Sequence, residues 1–235
     1  MLQRVAGRLV PCFSTPTHHK TLSVRLWSDG YLYEFSLHFP PKISYWMAPP
    51  ELRLREHAVD DRSLRTLASV GLAVGGILGM AGTFAPSASL RGLAWGIDGV
   101  ALVMACAILT LVFYRTGHDW VASGFLIFLI GEGLILSGAA MDLEASVPSF
   151  GAGSGLWAIS LALISLPPVF PFLVRTLGLI TAIMFATTAL QIFVGAQLTP
   201  VSSPLPFFAY PFFGATFFGW IWTLLKADGL PNSGR

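Results

Sequence analysis

Residues 119–141 read DWVASGFLIFLIGEGLILSGAAM, and the fold class follows from that stretch. A helix needs roughly 20 predominantly apolar residues to cross a hydrocarbon layer about 30 Å thick. The stretch has that length and composition, and it carries one acid, Glu132, well inside it. An ionisable side chain at such depth costs on the order of 2.5–3.5 kcal/mol on insertion scales, so it requires a compensating environment.

Working outward, five more apolar segments are expected to span, at about 64–84, 92–114, 156–174, 176–197 and 206–225. The composition agrees: of 235 residues, 54% are hydrophobic and only 11% charged, with a mean hydropathy of +0.69. Soluble domains carry about 25% charged residues, so this chain has too little charge to cover a water-facing surface. The expected fold class is all-α: a polytopic integral membrane protein, a bundle of six transmembrane helices with a short cytoplasmic N-terminal segment. Residues 1–46 form a poorly structured N-terminal segment, 47–63 a polar juxtamembrane segment, 64–226 the transmembrane domain and 227–235 a cytoplasmic tail.

The N-terminal segment differs from the rest. Arg4, Arg8 and Lys20, with hydroxyl residues and no acid up to position 20, give it the look of a mitochondrial transit peptide. A start at Met47, with the preceding residues outside the mature protein, explains the same contrast. Residues 22–38 alternate aromatics around Ser28-Asp29-Gly30, the pattern of a small hairpin. Cys12 with His18 and His19 is a weak metal spacing, and neither Cys12 nor Cys106 suits a structural disulfide. Between 48 and 65 acids and bases mix densely, which reads as a solvated segment or short surface helix rather than a basic lipid-binding cluster.

Orientation comes from flanking charge. On the N-terminal side the short flanks carry Arg53, Arg55, Arg62, Arg65, Arg115, Arg175, Lys226 and Arg235, against only Arg91 on the other. The positive-inside rule then puts both termini in the cytoplasm, in a bacterial inner membrane by the general look of the architecture.

Four polar residues fall at a matching level. At about 1.5 Å per helical residue, Asp98 and Glu132 each lie roughly 10 Å below the outer face. Gln191 and Tyr210 come near the same depth, and all four are expected to line one outward-leaning polar cavity. No Lys, Arg or His sits there to neutralise the acids. A carboxyl pair that takes and releases a proton suits cation- or proton-coupled transport, while the plainer role for each acid is a packing hydrogen bond.

Two other patterns concern packing. Gly71, Gly75 and Gly79 recur every four residues with Thr83 continuing the row, so one face of the first helix is a groove for a close neighbour. That groove is where a second copy or another membrane protein is expected to pack. Pro167, Pro168 and Pro171 end the fourth helix near Leu166 or kink it there before Arg175, and residues 142–155 read as a long Ser/Gly-rich loop.

Several chemistries lack their residues. All five histidines lie outside the spans, which argues against intramembrane metal or haem ligation, and no phosphate-cradling GxxxxGK[ST] occurs. GAGSG at 151–155 resembles a nucleophile elbow, but no histidine follows it. No basic, aromatic-studded patch suggests nucleic acid. No cofactor or metal is expected, and the partner the composition implies is the lipid bilayer. Three classes remain: a small permease-like carrier using Asp98 and Glu132, a non-catalytic assembly component, and, last for want of a catalytic constellation, a membrane-embedded enzyme.

Overall fold

A computed structural model describes residues 21–28, 31–38, 50–138 and 141–226, with side chains in the helical part from Arg62 onward. Cys12, the His18–His19 pair, Met47 and the tail 227–235 lie outside the described residues, as do Asp29 and Gly30 of the expected hairpin turn.

In the N-terminal unit, strands β1 (Thr21–Ser28) and β2 (Tyr31–His38) pair antiparallel from Ser28↔Tyr31 to Thr21↔His38. Six helices follow: α1 (Pro50–Thr83), α2 (Ala88–Arg115), α3 (Asp119–Gly138), α4 (Val147–Ser165), α5 (Phe172–Phe193) and α6 (Ala209–Lys226). The polar stretch before the first span is continuous with it, and the spanning part of α1 is Arg62–Thr83. Helices α1 to α5 are long and apolar enough to cross a membrane, which makes this a multi-pass membrane protein. Their outer faces are apolar as well: Ile77 is 68%, Ile183 67% and Phe172 79% exposed. Side chains of that kind facing outward suit lipid rather than water.

Helix α6 is not among those five. Tyr210, Pro211, Trp220, Trp222 and Lys226 lower its mean hydropathy, yet Trp220 is fully buried and Phe213 and Phe217 nearly so. Phe213, Phe217 and Trp220 run down the inside of the bundle, while Phe212, Phe218 and Trp222 face outward. Phe213 packs on Trp157 of α4 at 5.1 Å and on Phe128 of α3 at 5.7 Å, and Trp220 meets Phe125 of α3 edge-on at 5.1 Å. Such ring pairs add about 0.5–1.5 kcal/mol each beyond their buried area.

Glycines set the spacing between neighbours. A Cβ at Gly71 would sit 2.9 Å from Ala105 Cβ, and one at Gly79 2.7 Å from Asp98 Oδ2, so the glycine row of α1 faces α2 of the same chain. Gly124 approaches Ser160 and Ile164 of α4, Gly131 approaches Gly153, and Gly138 approaches Ser149. The paired numbers fall on one side as they rise on the other, so α3 and α4 run antiparallel. Gly151 packs on Ile192 of α5, and Gly219 of α6 on Val174. Gly76 meets Phe217, which closes the sequence of neighbours from α6 back to α1.

One expected loop is therefore corrected. Residues 147–155, GAGSG included, form the first half of α4, which starts at Val147 with a proline in its first turn. Ser and Gly at 151–155 serve close approach between helices here, not flexibility: Gly151, Gly153 and Ser154 are all buried. The end of α4 agrees with the proline reading, since the helix stops at Ser165. Arg175 of α5 reaches back across that turn, donating from Nε to Ser165 O at 2.7 Å and from a terminal nitrogen to Leu166 O at 2.6 Å. The guanidinium thereby satisfies carbonyls that a helix end leaves without partners.

The glycine contacts predict a contrast. Gly153→Val would force a side chain into Ile135 and the Gly131 carbonyl, and is expected to cost about 1–3 kcal/mol by overpacking. Gly96→Ala, where an added Cβ meets nothing within 4 Å, is expected to leave the midpoint of thermal unfolding in detergent unchanged or slightly raised. Equal effects of the two would remove the packing role assigned to Gly153.

Candidate functional site

The residues with chemistry to offer gather at the end of the bundle where α1 joins α2, α3 joins α4 and α5 joins α6. A cavity of about 80 Å³ lies there, lined by α1, α2, α3, α4 and α6 and by the loop residues Met141, Leu143 and Pro200. By volume it has room for a handful of water-sized positions.

Two carboxylates enter it from neighbouring helices. Asp98 of α2 lies against the glycine row: a Cβ at Gly75 would sit 3.2 Å from its Oδ1. Glu132 of α3 is 3% exposed, and its Oε1 lies 3.4 Å from where a Cβ on Gly99 would be. Glycines at 75, 79 and 99 thus make the space that the two acids occupy. The acids are near enough to repel one another electrostatically. Asp98 Oδ1 and Glu132 Oε2 are both buried without a hydrogen-bond partner. A buried charge lacking partner and counter-ion is unfavourable by several kcal/mol, so each carboxyl here is stable only with a proton or a cation bound to it.

Around them the wall is aromatic and apolar. Trp95 lies one turn before Asp98, and its indole N–H donates to Gly79 O at 3.3 Å. Trp157 of α4 interacts with the Glu132 carboxylate, although its Nε1 makes no hydrogen bond of standard geometry. Tyr210 and Phe213 of α6 complete this side. Among the described residues, no lysine, arginine or histidine lines the cavity. Arg91 is held over the Trp95 ring, 5.8 Å from its centroid, and donates to Ala85 O. It is two helical turns from Asp98, roughly 10 Å along the axis.

Of the four residues expected together, the structure brings Asp98, Glu132 and Tyr210 to one cavity and leaves Gln191 out. Gln191 is exposed, between Leu190 and Ile192 on the outer side of α5, with Leu190 63% and Phe193 66% exposed. Counting residues along a helix fixes depth but not rotation, and at 100° per residue the same depth can face either way. Trp95 and Trp157 went unread in the sequence. Trp95 carries a usable signal, its spacing of three from Asp98, while Trp157 was obscured by the Ser/Gly run before it. Among the described residues, no three His, Cys, Asp or Glu side chains come together as a metal site would require.

An uncompensated carboxylate predicts a stability trade-off. Glu132→Met, similar in length and apolar, is expected to stabilise the bundle by about 1 kcal/mol or more, read as a higher unfolding midpoint in detergent. Gln191→Leu should leave the midpoint where it is. A lower midpoint for Glu132→Met would mean that the carboxylate holds the fold together.

Compared with known families, curated proteins and solved structures, the chain matches none of them.

Proposed function

We propose that the chain is a small permease-like carrier in which Asp98 and Glu132 take up and release a cation or proton. The observation that carries this reading is the Glu132 carboxylate, 3% exposed, with an oxygen lacking any partner, in a cavity lined by a second acid and no base. A cation or proton entering between two repelling carboxylates relieves their repulsion, and its departure restores it, which is the cycle a carrier needs.

The reading includes α6 as a sixth span, made of aromatic residues packed inside the bundle, and places both termini on the cytoplasmic side of a bacterial inner membrane. The arginines at 62, 65, 115 and 175 and Lys226 then face the cytoplasm, and the cavity opens toward the opposite face.

The second reading is a non-catalytic assembly component, joined to a second copy or another membrane protein. The Gly71, Gly75 and Gly79 face is filled by α2, so the surface that favours this reading is the groove along Gly92, Gly96 and Met104 of α2.

Water access separates the two. With Cys12 and Cys106 replaced by serine, single cysteines at 98 and 132 are expected to react with a membrane-impermeant thiol reagent added from outside, as a control cysteine at the exposed Ala145 does. If only the control reacts, the acids are dry, the carrier reading falls, and the assembly reading takes its place.

A further inference from the structure

We infer that the cavity binds a small organic monocation of the alkylated ammonium class, held between the Asp98 and Glu132 carboxylates and the aromatic wall. This rests on the carrier reading and names its substrate class.

The lining selects by exclusion. Two acids with free oxygens and no basic side chain disfavour any anion. A neutral ligand can hydrogen-bond to the carboxylates but leaves their charge uncompensated in a buried site. Among cations, calcium and magnesium are poorly served: calcium takes six to eight oxygen ligands, and magnesium keeps a strict octahedron. Besides the acids, the lining offers chiefly aromatic rings and aliphatic side chains, with Ser146 and the Tyr210 hydroxyl as polar groups.

An alkylated ammonium matches what is present. Its charge is spread under methyl groups, so it needs no shell of oxygen ligands, and aromatic rings attract it through their negative faces. Trp95, Trp157, Tyr210 and Phe213 supply rings on three different helices. Glu132, almost fully buried with one oxygen unpartnered, supplies the counter-charge that makes the site specific for a cation. The cavity volume of about 80 Å³ suits a single small headgroup rather than a multi-ring dye.

The test uses the full chain in lipid nanodiscs, titrated with choline and with its uncharged isostere 3,3-dimethylbutan-1-ol, followed by calorimetry and tryptophan emission. Choline is expected to bind saturably, at least tenfold more tightly than the alcohol, and sodium chloride at matched ionic strength should not displace it. Glu132→Gln should weaken choline at least tenfold. Trp157→Phe should retain binding and Trp157→Leu should lose about two- to thirtyfold, the range of a desolvated cation–π contact. The choline-to-alcohol comparison needs no variant, so it stands even where a substitution impairs folding. Equal binding of choline and the alcohol, or no saturable choline binding, overturns the inference. If that happens while cysteines at 98 and 132 are labelled from outside, the substrate class is wrong and the carrier reading survives. If neither cysteine is labelled, both fall together.

Discussion

Close approach of backbones is what this bundle depends on. Between helices in a bilayer there is no hydrophobic gain to be had, because lipid tails are as apolar as the side chains they replace. Contact distance is then decisive, and here it is set by glycines: Gly131 against Gly153, Gly124 against Ser160, Gly79 against Asp98. The same contacts position the acids. Glu132 follows Gly131 directly, so once Gly131 is fixed against α4 the next side chain is turned by about 100° toward α2 and the cavity. The carboxylate is placed chiefly by packing, and its Oε2 is left without a hydrogen-bond partner.

Much of this was legible in the residues, and the failures have a common origin. Apolar runs gave the helices, because length and hydropathy are properties of one segment at a time. The proline cluster gave the end of α4 for the same reason. Residues 147–155 were misread as a loop, since Gly and Ser weaken a helix in water but let one pack tightly in a membrane; only the neighbours α3 and α5 decide between the two. Gln191 failed for a related reason: rotation about a helix axis is a relation to other helices. Asp98 and Glu132 come together through the contact of Gly99 with α3, a pairing of helices that the sequence does not announce.

The sixth helix shows the limit of hydropathy as a guide. Tryptophan and tyrosine score low on such scales because each carries a polar atom, yet both bury large ring surfaces. In α6 Trp220, with Phe213 and Phe217, forms the inner column that α3 and α4 pack on. A helix less apolar than its neighbours thus supplies much of the ring packing inside the bundle, and the acids lie beside it.

The connections at the two ends of the bundle are unequal. At the end away from the cavity, α2 turns into α3 over residues 116–118, and α4 into α5 over 166–171 with Arg175 clamped across. At the cavity end α1 turns into α2 over 84–87, while longer connections over 139–146 and 194–208 join α3 to α4 and α5 to α6. The geometry is that of a lever with its fulcrum at the clamped end. A helix of about 20 residues is roughly 30 Å long, so a tilt of about 5° at the fulcrum moves its far end by about 2.5 Å. That displacement is close to the diameter of a water molecule. The carboxylates lie on the long arm, where the smallest rotation makes the largest change in what can reach them.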